Sequence, residues 1–511
     1  MSIIANFFIA DCKKMITKRI SGNYVIFLII AFLYAVGNFV WWKLNTPVIV
    51  VCPASAGHLA DIAGNSFLYF NAPLFTWIIK FCIYLFGKTY FDLIIISINY
   101  VFFITALYFI NKLAVFFENK ETACYAMIIF SIIPAVYGMS RQYGHQDFHL
   151  IAFIVLNIYV LLKTNYFQNK KWTLLYGIST GLGLMIKDSF FIYFLAPFLY
   201  VIITAFKNRL TSRQKKNIFL SAAISFLILC PHYLRPEILK KGITDPFIET
   251  VNVFSFENLR VTTLGMYESF LSPSVFILFA ASFIFFILKY KKTSAKIILL
   301  LWLLAPWAAV TFMPHHKLLE YLAGILPAQA LIIALSLSLI KKQLIKILIV
   351  AAICIAAITQ YLSLSYNICN LNFPYFLPFN KYHYLYYYDK AAGRDINAFN
   401  EYIFANYSGK KIFVYEVYGF SLSCDLLKSY AYLYDKNIKF DYYGDKIQTI
   451  NENDYIMYIG KKNQNPEIMY ADLKNPVIRN NFYIYENYDF KIKDEIYKMT
   501  MFTGKKNPYK G

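Results

Sequence analysis

The sequence predicts a mostly α protein: a polytopic membrane helix bundle of about eleven spanning helices, with a small α/β domain at its C-terminal end. Three observations predict it. The 511 residues are 59% hydrophobic and 19% aromatic, more apolar than a soluble chain of this length. Apolar runs long enough to span recur up to about residue 362 and then stop. The gaps between them also alternate in charge. Twenty-one Lys and Arg fall in six short gaps, 13–19, 112–120, 163–171, 207–216, 289–296 and 341–346, with only Asp11, Glu118 and Glu121 in or beside them. The positive-inside rule makes that side cytoplasmic and directs attention to the opposite, external face.

Each element follows in order. Lys13, Lys14, Lys18 and Arg19 precede an apolar run from about Tyr24 to Trp42. That run is too long for a signal-peptide core and lacks a small-residue cleavage site, so it reads as a retained first helix. An external segment follows, from about Lys43 to Tyr90. Within it, Pro73 to Phe86 is apolar but too short to span, and suits a helix lying at the membrane interface. Further spans centre near residues 101, 130, 155, 180, 197 and 225. A second external segment, about His232 to Ser272, precedes spans near 280, 305, 332 and 353. An odd number of spans from a cytoplasmic N-terminus puts the C-terminus outside.

After about Ser363 the chain is rich in Tyr, Asn, Lys and Asp, and its 19 basic and 16 acidic residues nearly balance. Lys411 to Tyr418 and Asp454 to Ile459 read as strands, and Ser421 to Tyr434 as a helix. The expected domains are therefore 1–362, the membrane bundle, and 363–511, an external α/β domain. The expected location is the bacterial inner (plasma) membrane, with that domain periplasmic or extracellular. The net charge of +21 does not signal nucleic acid, because the cations sit at helix ends. Eight cysteines show no C-x-x-C or zinc spacing. Cys369 and Cys424 share the external tail, and spacing leaves their pairing open.

The polar residues of the external face carry the chemistry. The first external segment holds His58 and Asp61, and Asp61 is its only acid before Asp92. Asn71-Ala-Pro-Leu-Phe-Thr-Trp77 and Phe86-Gly87 follow. The link between the third and fourth spans packs Arg141, His145, Asp147 and His149 together. Ionisable groups at membrane depth are costly, and tend to be paired or functional. An Arg141–Asp147 ion pair is the plain alternative there. His145 and His149 have the i, i+4 spacing of metal ligands but no third ligand nearby, so no metal site is assigned. Lys187 and Asp188 end the glycine-bearing run from Tyr176, where a lysine snorkelling to the interface is the plain alternative. His315, His316, Lys317 and Tyr321 lie in a further link, otherwise a solvated turn. Together these residues suit an anionic lipid headgroup.

In order and spacing, residues 22–340 resemble the GT-C membrane glycosyltransferases, nearest to the bacterial aminoarabinose transferase and protein O-mannosyltransferase group. The family's acidic external loop and Pro-Pro-Leu-x-x-Trp run correspond to Asp61 and Ala72-Pro-Leu-Phe-Thr-Trp77, ending in Phe86-Gly87. Its Pro, Arg and Asp across the third and fourth helices correspond to Pro134, Arg141 and Asp147. Its Gly-Leu-x-x-x-x-Lys helix end corresponds to Gly181 through Lys187, and its Lys-x-x-x-Tyr and Leu-Pro link to Lys317, Tyr321 and Leu326-Pro327. The family often opens its first loop with an Asp-Glu pair. If Ala60-Asp-Ile-Ala63 matches the step after that pair, Ser55-Ala56 stand in its place. Then either Asp61 replaces the pair or the loop is shorter and Asp61 is the leading acid.

The resemblance implies an integral-membrane glycosyltransferase. It would move a sugar from a polyprenyl-phosphate donor to a lipid, glycan or protein acceptor on the outer face. Asp61 and Asp147 are the implied catalytic acids, and Arg141, Lys187, Lys317 and Tyr321 the implied substrate contacts; His58 and His145 join the substrate contacts from their place on the external face. No cofactor is expected; some branches of the family use a divalent cation, which the resemblance leaves open and no residue pattern here supports. The alternatives are a lipid or sugar transporter or flippase, and a non-catalytic envelope protein derived from such an enzyme.

Overall fold

A computed structural model describes residues 22–45, 72–140, 146–236, 238, 256–312, 319–366, 399, 401–417, 427, 431, 436–442, 455–461, 483–492 and 495–503. Helices stand at every position where a span is expected. They are α1 (Gly22–Asn45), α3 (Phe91–Phe117), the pair α4 (Lys120–Ile132) and α5 (Pro134–Met139), α6 (Gln146–Lys163), α7 (Lys170–Ile186), α8 (Phe190–Lys207) and α9 (Ser212–Tyr233). After a short helix α10 (Phe256–Gly265) come α11 (Ser272–Lys289), α12 (Thr293–Phe312), α13 (Leu326–Ser338) and α14 (Gln343–Tyr366). Among the described residues, seven helical segments are long and apolar enough to cross a membrane: 22–42, 93–117, 146–163, 190–207, 293–312, 321–338 and 343–362.

The other expected spans fall short for local reasons. Ile133 is extended (φ −64, ψ 121) and Pro134 opens α5, because proline disfavours helical backbone in the residue before it and suits a first helical turn. α7 has only 17 residues, and α9 begins with the polar run Ser212 to Asn217. The apolar part of α11 runs only from Ser274 to Lys289.

The expected interfacial helix is α2 (Leu74–Phe86). Phe75, Thr76 and Ile79 are buried, whereas Phe81, Tyr84, Leu85 and Phe86 are exposed. An outward aromatic face of this kind suits the headgroup boundary. The second long external segment contains α10 and a π-helical turn, Met266–Leu271, neither of which the sequence pattern marked. Thr311 in α12 donates to Thr262 in α10 at 2.9 Å.

Side-chain contacts sort the links into two ends. Lys292 pairs with Glu118 and Lys346 with Glu121, each at 2.8 Å. Asn23 donates to Asn111 at 2.9 Å, and the Lys163 ammonium lies 5.8 Å from the Phe116 ring. Gln214 donates to the Tyr166 carbonyl at 2.8 Å. These contacts join the neighbourhoods of the five basic gaps from 112–120 onward and the start of α1, so those gaps share one end of the bundle. At the other end, Asn99 donates to the Ser140 carbonyl at 2.6 Å.

The bundle is centred on α6 and α13, whose side chains are buried nearly all round. α6 and α7 run antiparallel. Midway, the buried Asn157 amide donates to Ser179 and Thr180, both at 2.9 Å. α7 packs on α9 where Gly177 meets the Ser221 backbone so closely that an added Cβ would lie 2.5 Å from its carbonyl oxygen. The α6–α7 turn is left-handed at Asn165, Tyr166 and Phe167 (φ 49, 53 and 66). Left-handed backbone costs a non-glycine residue about 1–2 kcal/mol. Besides the Gln214 bond, Asn217 holds this turn by donating to the Phe167 carbonyl at 2.8 Å.

The C-terminal part contains a five-stranded sheet of β1 (Lys411–Val417), β2 (Lys439–Tyr442), β3 (Tyr455–Lys461), β4 (Tyr483–Ile492) and β5 (Glu495–Thr503), in the order β2-β1-β3-β5-β4. β1 is parallel to β2 and β3, and the β3–β5 and β5–β4 pairs are antiparallel. Both strands expected from sequence are present. Of the expected helix Ser421 to Tyr434, only Leu427 and Ala431 are described; both are helical and buried. The expected boundary near 363 falls within the last turn of α14, which runs to Tyr366, and Cys369 and Cys424 lie outside the described residues.

Candidate active site

The site begins with the antiparallel α6–α7 pair. Asp147 lies in the first turn of α6, where unpaired backbone N–H groups favour a carboxylate. Lys187 caps the C-terminus of α7, where the carbonyl end favours a cation. Because the helices are antiparallel, these two ends meet opposite the basic rim. The Lys187 ammonium donates to both Asp147 carboxylate oxygens at 2.7 Å. The Asp147 side chain is 2% exposed and that of Lys187 18%. Lys187 therefore turns inward to a buried partner, and the snorkelling alternative does not hold. Such a pair is dear to desolvate and depends on its geometry.

The Tyr321 ring completes the arrangement, its centroid 5.0 Å from the Lys187 ammonium. Tyr321 belongs to a 3₁₀ segment, Leu319–Ile325. Two wholly buried side chains hold that segment by its carbonyls. Tyr193 of α8 donates to the Tyr321 carbonyl, and the Trp302 indole of α12 donates to that of Gly324 at 3.0 Å. Gly324 lacks a side chain for a steric reason: a Cβ there would lie 2.4 Å from Ile154 and 2.5 Å from Tyr193.

Neighbouring contacts tie the external links to the same place. Gln146 donates to the Ala72 carbonyl at 3.3 Å, bringing the Ala72-Pro73 start of α2 beside α6. His149 is buried between Phe75 and Phe102, with ring centroids 4.5 Å away on each side. It packs α2 and α3 onto α6, a role the metal-ligand spacing did not suggest. Among the described residues no group of three or more His, Cys, Asp or Glu side chains is placed to hold a metal ion. Tyr233 at the end of α9 donates to Asp188, securing the turn that follows Lys187.

Of the residues singled out from sequence, the fold brings together Asp147, Lys187 and Tyr321. His58, Asp61, Arg141, His145, His315, His316 and Lys317 lie outside the described residues. The sequence reading missed Tyr193, Trp302, Gln146 and Phe75. All but Gln146 sit in apolar stretches, where an aromatic residue looks like ordinary filling.

The profile of the dolichyl-phosphate-mannose-protein mannosyltransferase family matches residues 71–234. This segment contains Asp147 and Lys187. A comparison with curated protein sequences gives no significant match. Among solved structures, the chain resembles ArnT from Cupriavidus metallidurans bound to undecaprenyl phosphate, with a TM-score of 0.60 and 11% identity, covering 94% of this chain and 97% of that one. It also resembles the Archaeoglobus fulgidus oligosaccharyltransferase AglB in complex with an inhibitory peptide and a dolichol-phosphate. There the TM-score is 0.51 and the identity 12%, over 92% of this chain and 74% of that one. The likeness is one of fold: this chain has the GT-C architecture that its sequence order resembles.

Proposed function

We propose that the chain is an integral-membrane glycosyltransferase that moves a sugar from a polyprenyl-phosphate donor to an acceptor at the end of the bundle opposite the basic rim. The observation that carries this reading is the Asp147–Lys187–Tyr321 cluster, built at that end of an ArnT-like fold. A partly buried, carboxylate-anchored ammonium is suited to an anionic leaving group, because it is held before the charge develops.

In this scheme Asp61 takes the proton of the acceptor hydroxyl as general base. The acceptor oxygen bonds to the anomeric carbon, and the bond from that carbon to the phosphate oxygen breaks. Its electron pair leaves on the polyprenyl phosphate, and the configuration inverts. Lys187, with Arg141 and Lys317, stabilises the charge on that phosphate. Asp147 orients Lys187, while His58, His145 and Tyr321 contact substrate. No cofactor enters the scheme. In this reading the basic rim faces the cytoplasm, as the positive-inside rule favours, and the reaction and the 363–511 domain lie on the outer face of a bacterial inner membrane.

The test is release of free polyprenyl phosphate from a radiolabelled lipid-linked sugar, in proteoliposomes of the purified full chain with an envelope acceptor extract. Acceptor-dependent release supports the reading. Intact donor appearing in the opposite leaflet would favour a transporter. Binding without release would favour a non-catalytic relative, in which Ser55-Ala56 would stand in place of the acidic pair and Asp61 would not be the leading acid.

A further inference from the structure

The geometry points to Tyr193 as a positioning residue for the phosphate site: its buried hydroxyl fixes the Tyr321 backbone and so seats the Tyr321 ring under the Lys187 ammonium. This rests on the glycosyltransferase reading above and extends it to a residue that touches no substrate. Tyr193 is fully buried in the otherwise apolar run Phe190–Phe194. Removing a phenol from water is costly unless its hydroxyl finds an acceptor. Here the acceptor is the carbonyl of Tyr321, 128 residues away in sequence. The same ring fills the space that Gly324 leaves open, and Trp302 fixes the Gly324 carbonyl three residues further on. The 3₁₀ segment is therefore gripped at its backbone, with the Tyr321 side chain left to face Lys187.

Lys187 is in turn held from two directions. Asp147 engages its donors at 2.7 Å, and the Tyr321 ring face lies 5.0 Å from its charge. A cation over an aromatic face gains most when both are desolvated. A shift of the Tyr321 backbone moves the ring from beneath the ammonium, and Lys187 then leans toward Asp147, away from a leaving phosphate. Phe at position 193 keeps the packing against Gly324 and removes only the hydroxyl.

The experiment is a double-mutant cycle on the purified full chain, read as binding of undecaprenyl phosphate in nanodiscs. Tyr193→Phe is expected to weaken binding about fivefold, and Tyr321→Leu, which keeps the carbonyl, by a similar factor. In the Tyr321→Leu background, Tyr193→Phe should add no further loss, because the ring it seats is gone. Equal losses in both backgrounds, or no loss in either, would overturn the positioning role. Lys187→Ala serves as the separate control. If it binds as the parent does, the phosphate site itself fails; if it weakens binding while Tyr193→Phe does not, only the positioning role fails.

Discussion

Asp147 and Lys187 stabilise the fold and serve the proposed reaction, and the two contributions separate by mutation. Asp147→Asn leaves a largely buried ammonium without its carboxylate, at a cost of about 3 kcal/mol. Asp147→Asn with Lys187→Met removes both charges and should recover a large part of that loss in thermal unfolding in detergent. Sugar transfer should still fall by about 10² or more in the double variant, because the leaving phosphate has lost a preorganised cation. A double variant that regains both stability and turnover would reduce the pair to a structural tie. Asp61→Asn keeps shape and removes the proposed base, so turnover should drop about 10² or more with unfolding temperature unchanged. Near-normal transfer by that variant would move the base role to Asp147. At this scale the sequence was legible where a charge stood in an apolar context. Asp147 and Lys187 were recognisable for that reason. Tyr193 and Trp302 were not, because their polar atoms find partners only once distant segments meet.

The helices were legible as elements because apolar runs recur between polar gaps, seven of them long enough to cross a bilayer, and the break at Pro134 follows from one residue. Helix α10 and its π-helical turn were not legible, because their ten and six residues lack a long apolar run. What the helix pattern left unstated is how closely the elements approach. Gly177 sets the α7–α9 separation against backbone, which cannot move aside as a side chain can. Gly177→Leu should therefore part the two helices and cost about 2 kcal/mol or more. Gly22→Ala, where nothing lies within 4 Å, should be neutral. Equal stability of the two variants in a detergent melt would contradict the close crossing.

For the molecule as a whole, the gathering of the described basic gaps at one end was the most legible property, because the charge alternation repeats along most of the chain. The contacts at the basic end, Glu118 with Lys292 and Glu121 with Lys346, draw together gaps far apart in sequence, as the alternation requires. Protease accessibility in the membrane tests the orientation. Protease added to intact spheroplasts should remove the 363–511 region and spare an N-terminal tag. Cleavage of the tag with protection of the tail would reverse the assignment and place the site on the cytoplasmic side. The sheet order was not legible, since β1 and β3 show as strands singly but nothing local tells which neighbours they choose.

The ion pair between α6 and α7 also bears on the order in which the protein is made. Asp147 leaves the ribosome 40 residues ahead of Lys187. During that interval α6 offers the translocon a carboxylate without this partner, and an acid within a membrane segment opposes insertion by up to about 3 kcal/mol, less toward the helix end. Asn157 adds a second buried polar group whose partners, Ser179 and Thr180, are also still to come. The two helices should therefore enter the bilayer together as a hairpin, closed by the left-handed turn at 165–167. A nascent chain arrested before residue 170 is expected to leave α6 extractable by alkali, whereas one extended past residue 190 clear of the ribosome should hold it. If α6 resists extraction equally at both lengths, it inserts unaided, and the pairing with Lys187 matters only once the protein is complete.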